Sequence, residues 1–166
     1  MPSDHPHREH APSSVAVAIL SVSTSRNLEQ DKSGDLIRDL LEDRGHRVTG
    51  REMVKDDVTL IRNAFGRLLG TAARAIVVTG GTGITPTDVT VEALHPLLDK
   101  ELTAFGSLFT QLSYEEIGPA AILSRATAGV TNNKAVFCIP GSSKACRLAM
   151  EKIILPELTH LIAHLE

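Results

Sequence analysis

The sequence predicts an α/β fold, a three-layer sandwich in which a mostly parallel central sheet is flanked by helices. Short apolar runs alternate with segments of helical periodicity, in the order strand, helix, strand, helix, strand. The apolar runs are continuous, which is typical of strands covered on both faces. The chain has 166 residues, 42% of them hydrophobic and 22% charged, as expected for one ordinary globular domain.

The first apolar run, SVAVAILSV, predicts a strand rich in small and β-branched residues. A polar loop over residues 23–34 separates it from a helix, in which Leu36, Ile37, Leu40 and Leu41 recur at helical spacing and Gly45 provides the stop. Further strands are predicted over residues 46–54, 73–81 and 134–140, with a short one inside 121–130. Further helices are predicted over residues 57–70, about 88–98, 107–117, and 142–164 with an interruption near Pro156.

The first 13 residues are predicted to form a flexible tail, which leaves residues 14–166 as a single domain. The tail carries three Pro and three His and no hydrophobic pattern. His5, His7 and His10 could bind a stray transition metal, although a tail offers no fixed geometry for one.

Composition excludes several classes of protein. The net charge is −3, the isoelectric point is near 6.2 and aromatic residues make up 3%, which argues against a nucleic-acid-binding surface. No apolar run approaches the ~20 residues that span a bilayer, and the first residues lack the apolar centre of a signal peptide. Cys138 and Cys146 lie in apolar or helical surroundings without metal-ligand spacing. We therefore expect a cytoplasmic protein without a membrane partner, whose cysteines are reduced core residues.

Three segments follow predicted strands and should meet at one edge of the sheet, where ligands of open α/β folds bind. They are residues 21–34, the glycine-rich residues 79–88 and residues 140–143. In TGGTGITPTD, the residues Gly80, Gly81 and Gly83 allow the backbone to turn sharply and present its N–H groups to an anion. The segment lacks the Gly-Lys-Ser/Thr of a Walker A loop and the third glycine of a dinucleotide fingerprint.

Two acidic positions near these segments have alternative interpretations. Thr85, Pro86 and Asp88 resemble a helix start with a capping box, yet a carboxylate beside a phosphate-binding loop also suits a magnesium ion. Asp56 and Asp57 open a predicted helix, where acidic residues are favoured by the helix dipole.

Residues 117–150 contain no Asp or Glu, which favours a bound anion near the start of the helix predicted from residue 142. This acid-free stretch contains Arg125, Lys134, Lys144 and Arg147, the last two in the opening turns of a helix. Cations are disfavoured there unless an anion is bound. His46, His95, His160 and His164 appear scattered, without ligand spacing.

Four ordered motifs resemble the MoaB/MogA family of molybdenum cofactor biosynthesis, and more closely its MoaB branch. They are TGGTGITPTDVTVEAL, FGSLFTQLSYEEIG, SRATAGV and PGSSKACRLA, and the resemblance covers nearly the whole chain after residue 13. It implies a mostly parallel α/β fold and a homo-oligomer, either a trimer or a hexamer of two trimers. It also implies a molybdopterin adenylyltransferase, which transfers AMP from Mg-ATP to molybdopterin and releases pyrophosphate.

The resemblance also implies roles for individual residues. Asp88 would help to hold Mg²⁺ as a catalytic residue, Asp56 would be a second catalytic residue, and Ser113 occupies the helix serine position of the family. The substrate phosphates would be cradled by Gly80, Gly81, Thr82 and Gly83, and the pterin pocket would include Pro140, Gly141, Ser142 and Ser143.

The chain departs from the family pattern at two positions, and the departure at residue 110 favours an alternative. Thr110 stands where many relatives have Arg, and Lys55 precedes Asp56 where some relatives have Pro. The alternative is a non-catalytic MoaB-like oligomer that binds molybdopterin or a pathway partner. A generic phosphate-binding α/β module outside this pathway is a third possibility.

Overall fold

A computed structural model describes residues 11–166, so the predicted tail at residues 1–13 lies almost wholly outside the described chain. The strands are β1 Ala16–Val22, β2 Arg47–Val54, β3 Ala75–Thr79, β4 Lys100–Glu101, β5 Thr127–Thr131 and β6 Lys134–Ile139. The α-helices are α1 Lys32–Asp43, α2 Val58–Leu69, α3 Thr90–Leu94, α4 Thr103–Ile117, α5 Ser143–Ala149 and α6 Leu155–Ala163. In this part of the chain, no helix is long and apolar enough to cross a membrane.

The six strands form one sheet in the order β2-β1-β3-β6-β5-β4. The pairs β1–β2, β1–β3 and β3–β6 are parallel, whereas β5 pairs antiparallel with both β6 and β4. The prediction of a mostly parallel sheet is therefore confirmed. The carboxyl ends of β1, β2, β3 and β6 share one edge, where the predicted site segments begin.

Helices cover both faces of the sheet and bury two aliphatic clusters. Ile19, Val77 and Phe137 pack under α1, α4, α5 and α6 on one face. Leu20 and Val78 pack under α2 and α3 on the other face. All seven residues of β1 are buried, because a strand inside the sheet is covered on both sides. The predicted three-layer arrangement is thus confirmed.

The element boundaries differ from the prediction at several places. The edge strand β4 has only two residues and was not predicted, and α4 begins at Thr103 instead of residue 107. The β5–β6 hairpin turns at Asn132 and Asn133, which both have positive φ, a conformation that Asn tolerates better than most residues. The interruption predicted near Pro156 is confirmed as a π-helical turn at Met150–Ile154.

A buried carboxylate fixes the long loop that follows β1. Asp31 caps α1 by accepting a hydrogen bond from the N–H of Gly34 (2.9 Å), and it also accepts from Ser21 Oγ (2.6 Å). Arg51 of β2 pairs with it at 3.0 Å. A Cβ at Gly34 would lie 2.0 Å from Asp31 Oδ2, so the helix start and the carboxylate are packed against one another. Asp31 therefore connects β1, α1 and β2 at the base of the candidate site.

We expect Asp31→Ala to lower the free energy of unfolding by about 3 kcal/mol, because it removes a cap and leaves the half-buried Arg51 short of an acceptor. Urea unfolding monitored by circular dichroism measures the change. The control is Asp39→Ala on the same helix, since Asp39 is exposed and, among residues 11–166, its carboxylate pairs only with the neighbouring Arg38. Equal losses in the two variants would contradict a special role for Asp31.

Candidate functional site

The three predicted segments meet at the carboxyl edge of the sheet around an open cavity of about 760 Å³. The cavity is lined by Val22, Ser23, Thr24, Ser25, Arg26, Asp56, Gly80, Gly81, Thr82, Gly83, Thr87, Asp88, Leu123, Ser124, Pro140, Gly141 and Ser142. The lining therefore contains nine of the eleven site residues predicted from the sequence.

Close backbone packing joins residues 79–88, here called the glycine loop, to the loop after β6. A Cβ at Gly141 would lie 3.1 Å from the Cα of Gly80, and a Cβ at Gly80 would lie 2.2 Å from the carbonyl oxygen of Val22. Gly80 also has a φ of +95°, which favours glycine. Ser33 Oγ donates to the Gly141 carbonyl at 2.6 Å, and Thr79 Oγ1 donates to the Pro140 carbonyl at 3.1 Å. These contacts fix the floor of the cavity.

Four consecutive carbonyl groups of the glycine loop accept hydrogen bonds from the protein. Thr90 donates twice, from Oγ1 to Gly80 (2.8 Å) and from its N–H to Gly81 (2.9 Å). Arg125 donates to the next two, from Nε to Thr82 (2.9 Å) and from Nη2 to Gly83 (2.8 Å). In a planar trans peptide the following N–H points the opposite way. The N–H groups of residues 81–84 therefore point away from these donors.

The N–H groups of residues 81–84 are available to a ligand, and we call this group of four the nest. Within residues 11–166, none of the four donates a hydrogen bond to another residue. Gly81 has a φ of +66°, and a Cβ there would lie 2.3 Å from Thr90 Oγ1. Successive N–H groups in such a turn bind anions such as phosphates. The sequence prediction of a loop that can present N–H groups to an anion matches this geometry.

Arg125 is itself held by Glu92 of α3. The two side chains form a bidentate pair at 2.5 and 3.2 Å. The hydrogen bond from Arg125 lowers the pKa of Glu92, and the hydrogen bond to Glu92 raises the pKa of Arg125. Both side chains are partly exposed, so the value of the pair lies in its geometry more than in its contribution to stability. Glu92 and Arg125 thus form a clamp on the glycine loop.

Asp56 lies beside this loop and does not cap a helix. Its Oδ2 accepts from Thr24 Oγ1 at 2.7 Å, and Thr24 Oγ1 also accepts from the N–H of Asp56 at 3.2 Å. A Cβ at Gly81 would lie 3.0 Å from Asp56 Oδ1. The cap of α2 is instead the neighbouring Asp57, whose carboxylate accepts from the N–H of Leu60. Of the two adjacent aspartates, Asp57 caps the helix and Asp56 lines the cavity.

Asp88 lies at the other end of the glycine loop. Its Oδ2 accepts from the N–H (2.9 Å) and Oγ1 (2.6 Å) of Thr85, and a Cβ at Gly83 would lie 2.7 Å from the same oxygen. These bonds are half of the predicted capping box, but they do not start a helix, and the helix predicted from about residue 88 begins at Thr90. Residues 85–88 form a turn, and α3 begins at Thr90, where the contacts to Gly80 and Gly81 fix the backbone.

The two carboxylates fit a magnesium ion that is bound together with a phosphate ligand. In each of Asp56 and Asp88, Oδ1 accepts no hydrogen bond from residues 11–166. No three His, Cys, Asp or Glu side chains of these residues form a metal cage. Mg²⁺ is usually held by one or two carboxylates, water and substrate phosphates, so this donor set suits it.

Two predicted site residues do not line the cavity. Ser113 is buried on α4, and Ser143 lies in a separate surface depression that also contains Lys144 and Arg147. The cations expected near an anion at the start of α5 therefore face another surface, because Ser142 caps α5 and the helix turns them away. Their roles toward a ligand stay predictions.

Both cysteines are free and buried, as expected of core residues. Burial raises the pKa of Cys138 to about 12 and also raises the pKa of Cys146. Cys146 lies just below the cavity floor, where its Sγ contacts Thr79 Oγ1 at 3.2 Å. A protonated thiol is a poor nucleophile, so neither cysteine is suited to covalent catalysis at neutral pH.

The sequence did not reveal the residues whose hydrogen bonds hold the carbonyl groups of the glycine loop. Thr90 was not singled out, and Arg125 was noted only as one cation of the acid-free stretch. Thr24 and Arg26 were predicted only as members of a loop, yet both line the cavity and Thr24 orients Asp56. The sequence carries no local signal for the role of Arg125, because its acceptors lie more than 30 residues away.

Fold and site together define a class: a mostly parallel α/β protein with a glycine-rich loop and two carboxylates at the carboxyl edge of its sheet. A family model described as "probable molybdopterin binding domain" matches residues 18–160. The chain belongs to this family, the MoaB/MogA family of molybdenum cofactor biosynthesis proteins, and the resemblance seen in its motifs is confirmed.

Curated relatives and solved structures agree on the branch. The molybdenum cofactor biosynthesis proteins B of Bacillus cereus and Bacillus subtilis are 49% and 48% identical to the chain, over 93% and 94% of it and 93% of each relative. The structure of the tungsten cofactor synthesizing protein MoaB from Pyrococcus furiosus is 37% identical, with a TM-score of 0.84 over 93% of this chain and 98% of that chain. A MogA structure, 24% identical with a TM-score of 0.83, supports the fold alone.

We expect Arg125→Gln to loosen the glycine loop while the sheet stays folded, because the carbonyls of Thr82 and Gly83 lose their common donor. Amide hydrogen exchange should accelerate several-fold at Thr85, Asp88 and Thr90, whose N–H groups donate hydrogen bonds within the loop or to it, and should stay unchanged in β3. Arg147→Gln on α5 is the control, since that side chain pairs only with Glu151 among residues 11–166. Unchanged exchange in Arg125→Gln would contradict the clamp.

Glu92 should titrate below the ordinary carboxyl pKa of about 4.3. Because the ionised form is the one held by Arg125, the pair persists above that pH and breaks as the pH falls through the lowered value. A carbon-detected NMR titration measures the midpoint. In Arg125→Gln the midpoint should return toward the ordinary value, and an unshifted midpoint in the unmodified protein would refute the pairing.

Proposed function

We propose that the protein transfers AMP from Mg-ATP to molybdopterin, giving adenylated molybdopterin and pyrophosphate, in cytoplasmic molybdenum cofactor biosynthesis. One observation carries the proposal: Asp56 and Asp88 contact opposite ends of a loop with four outward-pointing N–H groups, in one open cavity. Membership of the MoaB/MogA family supports the pterin as the second substrate.

The glycine loop would bind the phosphates of ATP. The N–H groups of residues 81–84 are fixed by Thr90 and Arg125 before any ligand arrives, so binding requires little reorganisation. Arg26, exposed at the cavity edge, could neutralise further phosphate charge. The rest of the cavity, with Pro140, Gly141 and Ser142, would receive the pterin beside the nucleotide.

Asp56 and Asp88 would hold Mg²⁺ through their Oδ1 atoms, which accept no hydrogen bond from residues 11–166. When bound, the ion would neutralise charge on the phosphates. Thr24 and Thr85 hold the other oxygen of each carboxylate, which fixes the orientation of both side chains. The contact of each carboxylate with a glycine, Gly81 or Gly83, keeps it next to the phosphate nest.

In the proposed reaction, a phosphate oxygen of molybdopterin attacks the α-phosphorus of ATP. A new P–O bond forms as the bond from the α-phosphorus to the bridging oxygen breaks, and pyrophosphate carries away the electron pair. The attacking phosphate is already ionised near neutral pH, so no general base is needed. The residues contribute alignment of the two substrates and stabilisation of the negative charge that accumulates on the leaving group.

A non-catalytic molybdopterin-binding oligomer is the second candidate, and Thr110 is the feature that favours it. Thr110 is exposed on α4 in a shallow groove with Ser124 and Arg125, next to the cavity. Many relatives have Arg at this position, so one cation that could reach a phosphate is missing here. This candidate predicts binding of the pterin without turnover of ATP.

We expect Asp56→Asn and Asp88→Asn each to lower the rate of adenylation by about a hundredfold or more, the scale of losing one group that stabilises transition-state charge. Asparagine keeps the shape and the acceptor oxygen while removing the charge. The assay follows adenylated molybdopterin by chromatography with purified protein and Mg-ATP. Asp57→Asn is the matched control, because this neighbour caps α2 and lies outside the cavity.

Three results would separate the candidates. Product that disappears in both cavity variants but persists in Asp57→Asn would support the enzyme. Pterin binding without product would favour the non-catalytic oligomer. Product at an unchanged rate in both cavity variants would overturn the roles proposed for Asp56 and Asp88.

We also propose that copies of this chain associate through α4 and the 3₁₀ turn that follows it. This region exposes the apolar side chains of Tyr114, Ile117, Ile122 and Leu123. Ile122 alone is 83% exposed. Grouped exposed apolar side chains mark association surfaces. Leu123 also lines the cavity, so the partner copy would lie beside the site.

We expect Ile122→Glu to shift the protein toward the monomer, because the charge would be buried in the interface. Size-exclusion chromatography with light scattering measures the mass. Leu60→Glu is the control, since Leu60 is 44% exposed on α2, at the opposite face of the sheet. A trimer or hexamer that persists in Ile122→Glu would refute this surface.

A further inference from the structure

Two histidine rings are in contact at the C-terminal end of α6, although the histidines looked scattered in the sequence. His160 and His164 are four residues apart, so they lie on the same side of the helix. Their Nε2 atoms are 3.1 Å apart and their ring centroids 4.7 Å apart. His160 Nδ1 lies 2.9 Å from a carboxylate oxygen of Glu157.

The contact with Glu157 determines which nitrogen of His160 carries the proton. An ionised carboxylate only accepts hydrogen bonds, so Nδ1 of His160 is the donor. In the neutral ring, Nε2 of His160 then presents its lone pair toward His164. A carboxylate that orients a histidine through Nδ1 is the arrangement that commonly supports histidine ligands of metal ions.

The distance between the two Nε2 atoms allows both of them to bind the same transition metal ion. Zn²⁺ binds imidazole nitrogen at about 2.0–2.1 Å, so two nitrogens 3.1 Å apart would subtend an angle of about 100° at one ion, close to tetrahedral. We propose that His160 and His164 chelate one divalent transition metal ion of the zinc class, with Glu157 positioning His160. Water would supply further ligands, since no group of three His, Cys, Asp or Glu within residues 11–166 could hold a metal ion.

The pair lies at the edge of the sheet opposite to the candidate active site. Glu166, two residues beyond His164, pairs with Arg74, which directly precedes the amino end of β3. The glycine loop follows the carboxyl end of the same strand. The proposed ion is therefore distinct from the Mg²⁺ considered for Asp56 and Asp88, and it also differs in chemistry, because imidazole favours transition metals over magnesium.

Chelation would connect the last two turns of α6. His164 is the residue at which this helix ends, where backbone hydrogen bonds run out and helices fray. An ion that joins His164 to His160 would hold the end of α6 closed. Because binding to the folded chain raises its stability, the melting temperature should depend on zinc concentration.

Zinc titration by isothermal calorimetry tests the proposal with untagged, full-length protein. His5, His7 and His10 are changed to Asn throughout, so that the N-terminal histidines cannot contribute. We expect one zinc ion per chain, a loss of affinity of at least tenfold in His164→Gln, and a loss of about tenfold in Glu157→Gln. His95→Gln is the control, because His95 pairs with Glu101 on another element.

Melting temperature and amide exchange with and without zinc provide a second test, which distinguishes loss of the metal site from a general loss of stability in a variant. Zinc should raise the melting temperature of the parent and slow amide exchange of residues 160–166, but should do neither in His164→Gln. Absence of zinc binding in the parent, or the same affinity in His164→Gln, would overturn the proposal. Adenylation activity is not used as a readout, so the result is independent of the proposed function.

Discussion

The direction of four carbonyl groups is the constraint on which the candidate site depends. Thr90 and Arg125 donate hydrogen bonds to the carbonyls of residues 80–83 from the side of the loop that faces away from the cavity. Because the peptide bond is planar, these bonds determine where the N–H groups of residues 81–84 point. Glycine is then needed at residues 80 and 81, where φ is positive and other atoms occupy the space of a Cβ. The nest is thus a consequence of contacts made outside the cavity.

The same constraint explains the placement of the acidic residues. Asp56 and Asp88 reach the loop because Gly81 and Gly83 have no side chains in their way. Each carboxylate is oriented by a threonine from its own neighbourhood, Thr24 or Thr85. Helix capping is left to Asp57. A long-range contact with Thr24 and a local helix cap therefore separate two adjacent aspartates into one cavity-facing and one structural residue.

The sequence was sufficient for the sheet, the layers and most of the cavity, because continuous apolar runs and glycine motifs carry that information locally. It was insufficient where long-range contacts decide the structure. Thr90 fixes the start of α3 through bonds to a loop ten residues earlier, so the capping box recognised at Thr85 and Asp88 does not start the helix. The acceptors of Arg125 lie 33 to 43 residues away, beyond any periodicity. Residues that act through such contacts require the folded structure to be recognised.

The scarcity of aromatic residues gives the molecule an unusual optical property. The chain has no Trp and a single Tyr, and Tyr114 is 59% exposed on α4, away from the cavity lining. Intrinsic ultraviolet emission therefore originates from one phenol on the apolar face of that helix. Emission changes would report what covers this face, whereas a fluorescent ligand in the cavity could be observed with little background from the protein itself.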